Sequence, residues 1–260
     1  MSEDRAEKKR CTAVILAGGS GSRMKSGVAK QFMLLDGKPL LWYSLMAIQQ
    51  SEIIDDCILV AGNGESAVAG EQTDILEYVR KEIVEKYGFT KVDTIIAGGS
   101  ERCWSVENAM AVLRDTAGQS RVPNRDGYVF IHDSARPFLT EAILRRTYEA
   151  VCQYHACVAA MPSKDTVKLA DKESFAVSTP DRSLVWTIQT PQVFDTVLIT
   201  EAYSKLRKQY QLTQAPVTDD AGVVELFCDI PVKLVEGSYQ NIKITTPEDI
   251  KIAEAFVKSC

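Results

Sequence analysis

From Thr12 to Met161 the chain alternates two kinds of segment. Thr12 to Leu16 is a short apolar run without polar alternation, as expected of a strand covered on both faces, and Cys57 to Ala61 is of the same buried type. Val92 to Ala97, Tyr128 to His132 and Cys157 to Met161 read as the third, fourth and fifth strands. Between them lie stretches with apolar residues at helical spacing. Pro39 opens one, followed by Leu40, Leu41, Leu45 and Ile48; Thr73 to Tyr87 carries Ile75, Leu76, Val79, Ile83 and Val84; Glu101 to Asp115 forms a third. A fourth follows Thr140, a candidate N-cap flanked by Leu139 and Leu144 as a hydrophobic staple. Strands alternating with helices predict right-handed crossovers, an α/β fold of Rossmann-like type, and a mostly parallel twisted sheet with helices on both faces. Its ligand crevice is expected at the strand ends.

The rhythm breaks at Pro162. From Ser163 to Gln192 the pattern predicts β-type pieces, Thr166 to Leu169, Phe175 to Ser178 and Leu184 to Gln189, separated by polar turns. An excursion this small holds no core of its own, so it packs back on the sheet or reaches a second subunit. Helical spacing resumes over about 195–210 and Asp219 to Phe227, then a strand at Val232 to Val235. A last helix opens at Thr246-Pro247-Glu248-Asp249 with an N-cap, a first-turn proline and early acids. The expected organisation is a disordered lead over 1–10, then one domain over 11–260 with a protruding β-arm at about 163–192.

Composition narrows the function classes. With 260 residues and 45% hydrophobic content the chain can bury a sizeable core. A net charge of −5 disfavours a general nucleic-acid binder, so cation clusters are local. No apolar run is long enough to span a bilayer, and Met1 to Arg10 lacks the apolar centre of a secretory signal. The seven cysteines show no Cys-x-x-Cys pair, which fits free thiols in a reducing cytoplasm.

The first strand stops on glycines. Gly18, Gly19 and Gly21 let backbone N–H groups approach an anion, and Arg23 and Lys30 add positive charge beside them. A Walker A lysine is missing, and a dinucleotide fingerprint fails because its last glycine position is Met24. After the fourth strand comes His132-Asp133-Ser134-Ala135-Arg136-Pro137. Asp133 is placed to hold Mg²⁺ and Arg136 to clamp a phosphate; alternatively Asp133 caps a turn and pairs with Arg136. His132 reads as a packed strand residue. Lys164-Asp165-Thr166, Asp181-Arg182 and Asn241-Ile242-Lys243, taken singly, read as surface features.

Taken together and in order, Ala13 to Met24, Lys30-Gln31-Phe32, His132 to Pro137, Asp165-Thr166-Val167-Lys168, Thr190-Pro191-Gln192, Thr218-Asp219-Asp220 and Asn241 to Thr245 resemble the 2-C-methyl-D-erythritol 4-phosphate cytidylyltransferases. The resemblance runs from about Cys11 to the end. It implies a nucleotide-diphospho-sugar transferase type of fold and a reaction of CTP with a sugar-alcohol phosphate. The products would be a cytidine diphosphate alcohol and pyrophosphate, in the non-mevalonate isoprenoid route. Residue by residue, Arg23 and Lys30 would stabilise the reacting α-phosphate, and Ala17, Gly18, Gly19 and Gly21 would cradle the triphosphate. Gly99, Ser100 and Ser105 would read cytosine and ribose, and Asp133 would face Mg²⁺ held mainly through the CTP phosphates. Arg136, Thr166, Arg182 and Lys243 would hold the acceptor. Because Thr166 and Arg182 fall in the arm, the resemblance also implies a cytoplasmic homodimer with exchanged arms, with no nucleic-acid or membrane partner.

Three positions depart from the family pattern or length: Ser100 replaces a frequent aspartate, Ser134 a frequent alanine and Gln240 a common acid, and the 63–91 segment is longer than usual. Ribitol 5-phosphate is the alternative acceptor. A non-catalytic nucleotide-binding homologue and a sugar 1-phosphate nucleotidylyltransferase are the remaining readings.

Overall fold

A computed structural model describes residues 8–18, 29–62, 65–68, 71–114, 126–209 and 217–258. The sheet strands are β1 (Arg10–Ala17), β2 (Asp56–Ala61), β3 (Val92–Ala97), β4 (Gly127–Asp133), β5 (Ala156–Pro162), β6 (Trp186–Asp195) and β7 (Lys233–Glu236). They form one seven-stranded sheet in the order β3-β2-β1-β4-β6-β5-β7. All neighbours are parallel except β6, which runs antiparallel to both β4 and β5. The strand order reverses at β1, between β2 and β4, so a crevice is expected beyond the carboxyl ends of these strands.

The helices are α1 (Leu40–Gln50), α2 (Ile75–Tyr78, continued as a wider turn over Val79–Glu85), α3 (Arg102–Arg114), α4 (Glu141–Tyr154), α5 (Thr196–Gln209), α6 (Asp220–Cys228) and α7 (Pro247–Lys258). Two apolar layers sandwich the sheet. In β1, Cys11, Ala13, Ile15 and Ala17 face the layer built with α1, α2 and α4, while Val14 faces that built with α3, α5 and α6. The cap predicted at Thr140 forms, and Asp219, which the sequence reading has only as a helix start, caps α6. Thr140 accepts from the Ile143 amide, with Leu139 and Leu144 buried, and Asp219 accepts from the Gly222 amide at the start of α6.

Two boundaries differ from the sequence expectation. Arg10 already belongs to β1, and Lys8, Lys9 and Arg10 are paired with Asp55, Asp126 and Asp56, so the part of the 1–10 lead that is described is tied to the sheet by opposite charge. Within 163–192, only the stretch up to Val185 stands away from the sheet; Trp186 to Gln192 are the first part of β6. The expected strand at Thr166 to Leu169 is reduced to Leu169–Ala170 paired with Ala176–Ser178. Asp171 closes that turn, its Oδ1 accepting from the Glu173 and Phe175 amides.

Candidate active site

Three strand ends converge on a cleft of about 320 Å³, lined by residues from β1 (Leu16, Gly18), the 3₁₀ turn at Lys30, the β3–α3 loop (Gly99 to Arg102, Ser105), the end of β4 (Asp133 to Ala135) and Lys243. Buried Gln31 and Phe32 anchor the turn that presents Lys30. Close packing at the floor requires glycine. A Cβ on Gly98 would stand 2.8 Å from the Ala61 carbonyl oxygen, and one on Gly99 would stand 2.4 Å from the Trp104 Cβ. The Gly99 amide donates to the Ser105 hydroxyl at 3.0 Å, and that hydroxyl donates to the Glu101 carbonyl at 3.1 Å. Ser105 therefore shapes the loop as well as facing the cleft. A second hollow of about 380 Å³ lies between α3 and α5, but its one arginine, Arg114, is already bonded to Glu107 and to the Thr200 carbonyl.

Asp133 is the electrostatic centre of the cleft. Its Oδ1 accepts from Arg102 Nε at 3.1 Å and its Oδ2 from Lys243 Nζ at 2.6 Å. Burial opposes ionisation, yet Arg102, Lys243 and Arg136 hold its carboxyl well below the usual carboxylate range. The other face of Arg102 is bidentate to Asp220, at 3.0 and 2.7 Å. Asp220 is fully buried and also accepts from the Tyr203 hydroxyl at 2.6 Å. Burial tends to neutralise Arg102, and the two carboxylates reverse this, raising its pKa. Gln192 completes the arrangement by accepting from the Asp220 and Ala221 amides through Oε1 and donating to Asp219 through Nε2.

His132 faces away from this chemistry. Its Nε2 lies 3.1 Å from the Arg136 carbonyl, which can only accept, so the ring proton is assigned to Nε2 and Nδ1 accepts from the Thr190 hydroxyl at 2.9 Å. That hydroxyl accepts in turn from the Asp133 amide. Burial pushes the His132 pKa down to about 4, so the ring is neutral and structural, as the sequence reading has it.

Gly18, Lys30, Gly99, Ser100, Ser105, Asp133 and Lys243 line one cleft, with Ala17 buried just behind. Arg23, Gly19 and Gly21 lie outside the described residues. Thr166 and Arg182 are exposed on the arm and do not line this cleft within the chain. The Arg136 backbone amide donates to the Asp133 carbonyl at 2.9 Å, closing the turn after β4, but its guanidinium turns elsewhere: Nη1 donates to the Asn241 carbonyl at 2.7 Å and Nη2 to the Ile188 carbonyl at 3.3 Å. Sequence reasoning gave no role to Arg102 or Tyr203, and none to Asp220 beyond its motif. A cation in the first turn of the helix after β3 follows the same strand-end logic as Asp133 after β4, and that signal points to Arg102.

Among the described residues no cluster of three or more His, Cys, Asp or Glu side chains forms a metal cage. The donor chemistry suits a different arrangement: one ionised carboxylate, Asp133, fits a hard cation that takes most of its ligands from phosphates and water.

Residues 11–259 match the 2-C-methyl-D-erythritol 4-phosphate cytidylyltransferase family. The cytidylyltransferase of that name from Lachnospira eligens is 47% identical over 247 residues, covering 95% of this chain and 99% of the relative. Its counterpart from Clostridium kluyveri is 41% identical, covering 95% and 96%. Among solved structures, the 4-diphosphocytidyl-2C-methyl-D-erythritol synthase of Anaerococcus prevotii superposes with a TM-score of 0.75 at 33% identity, covering 96% of this chain and 99% of that one. A strand-end cleft built around Asp133 thus comes with relatives that align along nearly the whole sequence, and the chain belongs to the 2-C-methyl-D-erythritol 4-phosphate cytidylyltransferase family.

Proposed function

We propose that this chain transfers the cytidylyl group of CTP to 2-C-methyl-D-erythritol 4-phosphate, giving 4-diphosphocytidyl-2-C-methyl-D-erythritol and pyrophosphate for non-mevalonate isoprenoid synthesis. The observation that carries this reading is the cleft at the β1/β4 switch point, where Lys30, Lys243 and an ionised Asp133 converge in a chain matching the family from end to end. An acceptor phosphate oxygen attacks the α-phosphorus of CTP, a new P–O bond forms, and the bond to pyrophosphate breaks. The acceptor phosphate has a second pKa of about 6 and is already ionised at neutral pH, so no general base is needed. This agrees with a His132 that is buried and neutral.

The protein's part is placement and charge. Lys30, with Arg23, stabilises the charge that builds on the α-phosphate and departing pyrophosphate. Ala17, Gly18, Gly19 and Gly21 cradle the triphosphate, and Gly99, Ser100 and Ser105 receive the nucleoside. Asp133 would hold the Mg²⁺ that accompanies the nucleotide, and the ion supplies neutralisation of phosphate charge when bound. Lys243 holds the acceptor phosphate, with Thr166 and Arg182 supplied by the arm and Arg136 bracing the Asn241 backbone beside Lys243.

The arm reading carries a partner with it. Leu169, Phe175, Val177 and Leu184 on the arm are 56, 70, 69 and 79% exposed, an apolar surface suited to a second copy of the chain. A homodimer that exchanges arms brings Thr166 and Arg182 to the neighbouring cleft. Purified protein with CTP and Mg²⁺ is expected to release pyrophosphate far faster with 2-C-methyl-D-erythritol 4-phosphate than with ribitol 5-phosphate. The reverse order overturns the assignment of the acceptor, and release with neither overturns the activity.

A further inference from the structure

The chain leaving β7 passes both roots of the arm before it reaches the cleft. Where the arm departs, the Tyr239 hydroxyl donates to the carbonyl of Pro162, the last residue of β5, at 2.9 Å. The Lys164 ammonium stands 3.5 Å from the centre of the same Tyr239 ring. Where the arm returns, Gln189 uses its whole amide on this segment: Nε2 donates to the Ser238 carbonyl at 2.8 Å, and Oε1 accepts from the Ser238 amide at 3.3 Å and from Asn241 Nδ2 at 3.2 Å. Asn241 Nδ2 also donates to the Thr190 carbonyl at 2.9 Å. A Cβ at 237 would stand 2.3 Å from Gln189 Oε1, so any side chain there would push the Gln189 amide off these partners. Just beyond Asn241, Lys243 makes its contact with Asp133.

These bonds form a fastening. The register between β6 and β5 is interrupted between Ile188 and Gln192, and over that interval the side chain of Gln189 and the carbonyls of Ile188 and Thr190 engage Ser238, Asn241 and Arg136. Gln189 and Asn241 are buried, where water cannot replace a lost partner and leaving one polar atom unpaired is costly. One short segment thus fixes both roots of the arm and carries the lysine of the cleft.

We propose that Tyr239 and Gln189 are positioning residues for the acceptor: they hold the arm, and with it Thr166 and Arg182, at a fixed setting relative to Lys243. The proposal rests on the reading of those three residues as acceptor ligands. Tyr239 acts through the arm and touches neither nucleotide nor acceptor. In a dimer with exchanged arms, the same fastening ties the arm serving one cleft to the Lys243 of the other.

The test is steady-state kinetics on Tyr239→Phe, which keeps the ring beneath Lys164 and removes one hydroxyl from a residue 43% exposed. The KM for 2-C-methyl-D-erythritol 4-phosphate is expected to rise about three- to tenfold, the weight of one hydrogen bond, with the KM for CTP and the urea midpoint unchanged. Tyr239→Leu, which removes the ring as well, is expected to raise it further. Combined with Arg182→Ala, either change is expected to lose most of its effect, because the arm then no longer grips the acceptor. An acceptor KM within about 1.5-fold of the parent in both variants overturns the proposal, as does a parallel rise in the CTP KM or a full effect persisting over Arg182→Ala. If the parent itself releases no pyrophosphate, the functional reading falls and this proposal with it. A fully active parent with unchanged variants removes only the positioning role.

Discussion

His132 illustrates how a residue beside the reacting centre can be wholly structural. Its two ring nitrogens are occupied by the Thr190 hydroxyl and the Arg136 carbonyl, and that same hydroxyl receives the Asp133 amide, so the imidazole fixes the backbone at the end of β4. Burial lowers its pKa to about 4, whereas in the unfolded chain it titrates near the ordinary value of about 6.5. Between these values the unfolded state binds more protons, so the stability associated with the neutral ring is present above the unfolded pKa and is lost as pH falls toward the folded one. This group alone is expected to cost about 2 kcal/mol between pH 7 and pH 5. Urea unfolding at the two pH values measures it, and His132→Gln should show a correspondingly flatter pH dependence; equal slopes would show that His132 is not the responsible group. Asp133 behaves differently: its depressed pKa keeps it ionised throughout this window, so its charge contributes no slope.

Between elements, a buried charged contact ties α3 to α5 on the far side of the sheet from α4. Glu107 is buried, with Oε1 held by Arg114 Nη2 at 2.5 Å and approached by Arg207 at 3.6 Å, while Oε2 has no partner. Arg114 also donates to the Thr200 carbonyl on α5. Arg114→Ala is expected to destabilise the fold by about 3 kcal/mol, because it leaves a buried carboxylate largely uncompensated, and Glu107→Leu in the same chain should restore much of the loss. Denaturant midpoints decide this, and a double variant no better than the single one would refute the account. Elements of this kind were legible in the sequence to unequal degrees. Strands covered on both faces, such as Cys57 to Ala61, announce themselves by unbroken apolar runs, and the Thr140 cap by residue type. The strand Trp186–Asp195 does not, because its buried positions include Gln189, Thr190 and Gln192, whose burial depends on partners at 219–221 and 238–241 that no local pattern reveals. Arg102 was hidden for the same reason. Its importance comes from two aspartates, 31 and 118 positions away, that only the folded sheet brings together.

At the level of the whole molecule, the cleft of a single chain holds Gly18, Lys30, Gly99, Ser100, Ser105, Asp133 and Lys243, while Thr166 and Arg182 stand out on the arm. A pair of inactive chains should therefore repair each other. Lys30→Ala and Arg182→Ala proteins, mixed under conditions that exchange subunits, are expected to recover up to about a quarter of parental activity per site, since one cleft of a mixed dimer receives an intact turn and an intact arm. No recovery despite exchange demonstrated by mass would confine each site to one chain. Position along the chain also has a temporal meaning. The sheet places β6 between β4 and β5, so β5 has no neighbour among earlier strands; both of its partners, β6 and β7, are made after it. As the chain emerges from the ribosome, β1 to β4 can pair as soon as they appear, whereas Ala156–Pro162 must wait with both edges open until the arm has been completed and the chain has turned back. The segment between them is thus made before the sheet can close, and the interval in which a nascent chain is most open to mispairing is the interval in which its arm is being synthesised.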